Sequence, residues 1–175
     1  MRKHIFAAVL VLFCGFSALA QNEALPGPKT ANSEQPKKEI KLSDEDAVYE
    51  AAFRIMLGRW ISDNTGLYQN YYLKIEGKKD PSGPLMEKLS DLGAKIRKGS
   101  ECFISEKDGS IVLDKVTKKQ GILFSVSKLE WISKDEVKFG GHDHEGNMSA
   151  FGCTYTLQRE DGKWKMAKAV ECWVS

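Results

Sequence analysis

His142-Asp143-His144-Glu145 gathers both histidines found beyond residue 20 into three positions. In an extended strand, residues i and i+2 point to the same side. The two imidazoles could therefore share a transition metal, with a carboxylate from Glu145 or elsewhere. A closed zinc site takes four ligands, so an ordinary polar hairpin is the plainer reading of His142 and His144. Nucleophile chemistry has less support: no Gly-x-Ser-x-Gly elbow follows residue 20, and a Ser-His-Asp group would have to draw on that same loop. No cofactor motif is present. Five aromatic residues, Tyr49, Phe53, Trp60, Tyr72 and Trp131, could line a cavity mouth and bind a ligand, against the ordinary reading of each as core packing.

The compartment is easier to read. Arg2, Lys3 and His4 precede an apolar run from Ile5 to Phe13, and Ala18-Leu19-Ala20 is a small-x-small site. This is the pattern of a secretory signal cleaved after Ala20, placing the protein in the periplasm or outside the cell. Phe13 before Cys14 argues against lipidation, because lipoprotein processing wants a small residue there. Cleavage leaves Cys102, Cys153 and Cys172, an odd number in an oxidising compartment. Cys153–Cys172 is the favoured disulfide. The two share a face on neighbouring strands but lie diagonal in the simplest register, and a slip of two residues would set them directly opposite. A buried free thiol is the alternative for any of the three.

Loss of Arg2 and Lys3 leaves 24 basic residues against 24 acids. The lysine clusters are interleaved with acids, whereas a nucleic-acid binder carries a basic excess on one face. Nucleic acid is therefore excluded as a partner, and no stretch is long and apolar enough to span a membrane. Oligomeric state is not legible.

Positioning any of these residues falls to one α+β domain over 43–175, after a flexible linker at 21–42 that contains Pro26, Pro28 and Pro36. Ser43 is placed to cap a helix, with Asp46 as capping-box partner. Val48, Ala52 and Ile55 beside Tyr49, Phe53, Met56 and Trp60 make a broad apolar face at helical period. Tyr68 to Ile75 reads as a strand. A second helix follows Asp80-Pro81, carries Leu85, Leu89 and Leu92, and ends at Gly93. Strands are expected at 94–98, 101–105, 111–116, 122–133, 136–142, 148–159 and 163–174. Asp161-Gly162 predicts a two-residue hairpin pairing Leu157 with Met166, Cys153 with Val170 and Phe151 with Cys172. The preceding hairpin is expected to pair Phe139 with Phe151 and Val137 with Cys153. In the 122–133 strand the alternation of Phe124 and Val126 slips before Leu129 and Trp131, predicting a bulge near Ser127-Lys128 that bends the sheet.

The order helix, strand, helix and then antiparallel strands, closed by Tyr155-Thr-Leu-Gln-Arg-Glu-Asp-Gly-Lys-Trp164, resembles the nuclear transport factor 2-like family over roughly residues 43–175. The resemblance implies N-terminal helices packed on a strongly bent antiparallel sheet, forming a cone with an apolar pocket. Some members of the family use an Asp, His or Tyr in that pocket for isomerase, dehydratase or epoxide-hydrolase chemistry; no residue of this sequence is matched to those positions. Fold is carried over and activity is not. Two functions follow as expectations: binding of a small apolar ligand or an envelope partner through a concave face, or a small isomerase or dehydratase with a buried acid-base residue. A polar group buried at the base of a cavity would separate them.

Overall fold

The computed structural model describes residues 41–63, 68, 70–77, 80–146 and 149–175. The signal, Cys14, nearly all of the linker and residues 147–148 lie outside the described residues. Helix α1 (Asp44–Asp63) begins as its sequence predicts: Ser43 Oγ accepts from the Asp46 N–H at 3.1 Å, and three acids occupy the positive end of the helix dipole. Asp46 does not complete a capping box. It accepts instead from Ser82 Oγ at 2.7 Å, and Ser82 caps α2 (Gly83–Leu89) by accepting from the Leu85 N–H at 3.2 Å. One hydroxyl thus starts the second helix and ties it to the first turn of α1. Beyond α2, a 3-10 turn over Ser90–Leu92 ends at Gly93 with φ 69°, a conformation in which glycine carries no Cβ penalty.

Nine strands are formed among the described residues: β1 (Tyr71–Ile75), β2 (Ile96–Lys98), β3 (Cys102–Ser105), β4 (Ile111–Asp114), β5 (Gln120–Val126), β6 (Glu130–Ser133), β7 (Glu136–Gly146), β8 (Ser149–Glu160) and β9 (Lys163–Val174). They join in one sheet of order β2-β1-β5-β7-β8-β9, with the β3–β4 hairpin paired to β5 and β6 paired to β7. The fold is mixed α+β. The sheet is not purely antiparallel as expected, because β1 runs parallel to both β2 and β5. Its link to β2 passes through α2, and a helical crossover returns the chain in the same direction.

The apolar stripe of α1 meets this sheet. Val48, Tyr49, Ala52, Phe53, Met56 and Leu57 are buried against Leu73, Ile75, Phe124, Val126, Val137, Phe139, Tyr155 and Leu157. On the opposite face a smaller cluster joins Tyr72, Cys102 and Val112, with Leu123 packed on it.

The predicted slip near residue 127 is present. Val126 pairs with Gly141 and Glu130 with Lys138, so four steps on one strand oppose three on the other. Ser127 fills the irregularity: its N–H donates to Gly140 O at 2.8 Å, and its Oγ accepts from the Gly140 N–H at 2.7 Å. The β7–β8 hairpin differs from expectation. Phe139 faces Tyr155 and Val137 faces Leu157, because β7 continues to Gly146, beyond its expected end at 142. The offset is even, so the same residues still face α1.

Asp161 and Gly162 both have positive φ, 51° and 75°, as a type I′ turn requires. Leu157 pairs with Met166 as predicted, after which two register shifts each add a residue and Phe151 ends opposite Val174. Within the second, Glu171 holds φ 54°. The two shifts supply the two-residue slip that Cys153 and Cys172 need. They form a disulfide with Cα atoms 4.1 Å apart, leaving Cys102 free and buried.

Candidate active site between α1 and strands β7–β9

Alternation along β7 sends Val137, Phe139, Gly141 and Asp143 towards α1, all of them buried. The first two fill the core. The third has no side chain, and a Cβ there would lie 2.9 Å from both Met56 Sδ and Tyr155 Cε2. Gly141 therefore gives Met56 and the Tyr155 ring room to reach the strand. The fourth is a carboxylate, 5% exposed, in an otherwise apolar row.

Over Gly141 and Asp143 lies a half-open cavity of about 310 Å³. Ile55, Met56 and Arg59 of α1 form one wall; Phe151, Cys153 and Tyr155 of β8 and Met166, Ala169 and Cys172 of β9 form the other. The disulfide thus belongs to the cavity wall. Tyr155 stacks on Phe139 at 5.3 Å between ring centroids, and the Arg59 guanidinium lies 4.0 Å over the Phe151 ring.

Trp60 Nε1 donates to Asp143 Oδ2 at 2.9 Å. Its ring meets Tyr68 edge-on at 6.0 Å, Tyr68 OH donates to Glu145, and Ser149 Oγ donates to the other Glu145 oxygen at 2.6 Å. This chain of contacts holds the indole where Asp143 needs a donor. Burial pushes the Asp143 carboxyl above its ordinary range, and the Trp60 hydrogen bond and Arg59 charge pull the other way without cancelling it. Burial likewise raises the Tyr155 phenol. Together these groups supply an apolar slot with a buried carboxyl at its floor and the Arg59 guanidinium at its rim.

The five aromatic residues expected at a cavity mouth are not brought together. Trp60 alone reaches the site, through Asp143. Tyr49 and Phe53 are core residues, and burial followed by the Glu45 charge raises the Tyr49 phenol to about 12. Tyr72 is fully buried in the cluster on the opposite face of the sheet. Trp131 is 44% exposed and meets Trp164 edge-on at 5.7 Å. His142 and His144 point away from α1, and His144 Nε2 lies 2.7 Å from Ser110 O. Among the described residues, no cluster of three or more His, Cys, Asp or Glu stands together as metal donors. His142 nevertheless borders the cavity, and Asp143 beside it stands on the cavity floor. Asp143 and Arg59 were missed by sequence reasoning, although the alternation of Val137 and Phe139, carried six residues along the strand, places Asp143 on the inner face.

A second buried carboxylate, Asp114, serves differently. Its Oδ1 accepts from the N–H groups of Val116 and Thr117 at 2.9 and 2.7 Å; its Oδ2 accepts from Tyr72 OH at 2.7 Å and from Arg97. The Thr117 N–H foremost, and then the Tyr72 hydroxyl, hold it well below the usual carboxylate range. With both oxygens committed, it anchors the loop after β4. A larger hollow of about 400 Å³ lies beside Glu50, Arg54, Lys88 and Trp164, but Arg54 there is already bonded to Glu50, Asp91 and the Lys88 carbonyl. No protein-family model, curated protein or solved structure matches this chain.

Proposed function

We propose that the cavity between α1 and β7–β9 binds a small, largely apolar molecule, with Asp143 making the polar contact that orients it. The observation that carries this reading is one buried carboxylate set into an otherwise apolar floor, the pattern of a ligand site in which few polar groups fix orientation. Its framework is the nuclear transport factor 2-like cone, supported by the order of helices and strands, by the break at Ser127 and by the bulged β9. The compartment is extracytoplasmic, on the strength of the N-terminal signal.

Asp143 also favours a second reading. A carboxyl whose affinity for protons is raised, next to an apolar slot, suits proton abstraction from carbon in an isomerase or dehydratase. In that role Asp143 takes the proton, Trp60 keeps the carboxyl oriented and Arg59 offsets negative charge developing on the substrate.

Native mass spectrometry of the full chain, produced with its export signal in a secreting host, tests binding. A small molecule should be retained by the wild type and lost from Ala169→Trp, which fills the cavity from an exposed strand position. Bare polypeptide in both, together with no binding of small apolar probes, removes the proposal. Deuterium exchange from solvent into the retained molecule, present with wild type and absent with Asp143→Asn, decides for catalysis over binding.

A further inference from the structure

We infer that the ligand of this cavity is a small apolar carboxylate, anchored at the rim by Arg59. This rests on the binding reading above and adds its chemical class.

Arg59, His142, Asp143 and Tyr155 are the ionisable side chains of the lining. Asp143 is buried beside apolar walls, and Trp60 Nε1 already occupies one of its oxygens. Arg59 brings a guanidinium to the cavity rim. Arg59 forms no ion pair among the described residues; its cation instead lies over Phe151, which fixes the side chain at the cavity edge while leaving guanidinium N–H donors available. A planar guanidinium matches a carboxylate with two parallel hydrogen bonds. The rest of the slot, from Ile55 and Met56 to Tyr155 and Met166, offers apolar contact.

A cationic ligand meets the opposite situation, because it would sit against the Arg59 guanidinium. A neutral ligand leaves the Arg59 N–H donors without a charged acceptor. At about 310 Å³ the cavity is at the small end of ligand sites, which points to a compact acid rather than a long-chain lipid.

Calorimetric titration of the full chain with octanoate, octanol and octylamine tests the class. Octanoate should bind about tenfold or more tighter than octanol, the ratio expected of a charge-assisted hydrogen bond, and octylamine should bind weakest. Arg59→Gln should abolish the preference for octanoate over octanol, read as the ratio of the two affinities, and Arg59→Lys should restore part of it. Equal binding of octanoate and octanol to the wild type, or a preference that survives Arg59→Gln, overturns the carboxylate while the cavity stands. Tightest binding of octylamine overturns it in favour of Asp143 as the anchor. Absence of binding by all three, with no small molecule retained in native mass spectra, removes the cavity reading together with this one.

Discussion

Asp143 and Asp114 are carboxylates of similar burial with opposite consequences for stability. Asp114 accepts four hydrogen bonds, so its proton is lost more easily in the folded chain than in the unfolded one. Its contribution is present above the unfolded value of about 3.9 and is lost as the pH falls below it. Asp143 is raised by burial, so the folded state holds its proton more tightly. Stability is then greatest below the unfolded value and declines as the pH rises through the folded one. Asp143→Asn is therefore expected to be more stable than the wild type at neutral pH, with the difference shrinking towards pH of about 4; urea unfolding across a pH series measures it. A difference that grows on acidification would contradict the assignment. Cys102 gives a second expectation at this scale. Burial pushes its thiol up to about 11, and Sγ donates to Gly99 O at 3.2 Å. Thiol reagents at mildly alkaline pH should leave it unmodified in the native protein and label it once urea is added, as read by mass spectrometry.

Among the elements, α1 and α2 are joined by Ser82 as well as by apolar contact. Its Oγ accepts from Leu85 N–H and donates to Asp46. Ser82→Ala removes a cap and a helix-to-helix bond together, and a loss of about 1–2 kcal/mol in chemical denaturation is expected. Ser90→Ala, which removes an exposed bond to the Glu87 carbonyl, serves as the control and should be close to neutral. Much of this level was legible in advance. Ser43, the Leu85/Leu89 spacing, Gly93 and Asp161-Gly162 are local signals, and each acts within a few residues of where it stands. The β7–β8 register was not legible, because no strong turn residue pins it and an even offset leaves every side chain on its expected face. Nor was the parallel pairing of β1, which depends on where a crossover lands rather than on the strand's own residues.

For the molecule as a whole, the Cys153–Cys172 bond closes a loop between residues 19 apart in sequence, and chain-entropy reasoning puts its worth at about 3 kcal/mol. The paired variant Cys153→Ala, Cys172→Ala should lose about that much in urea unfolding, and it should also weaken ligand retention, because both cysteines line the cavity. Unchanged retention would leave the disulfide a purely structural tie. Taken alone, the sequence determined the α+β composition, the helix starts, the break at Ser127 and the favoured cysteine pair, since periodicity, capping and turn chemistry are properties of adjacent residues. It drew attention to His142 and His144 and passed over the acid between them. How far β9 slips past β8, and whether Trp60 arrives within 2.9 Å of Asp143, were decided by tertiary structure. Those distances join residues up to 83 positions apart, and contact across such separations is set by packing of the whole sheet against the helix.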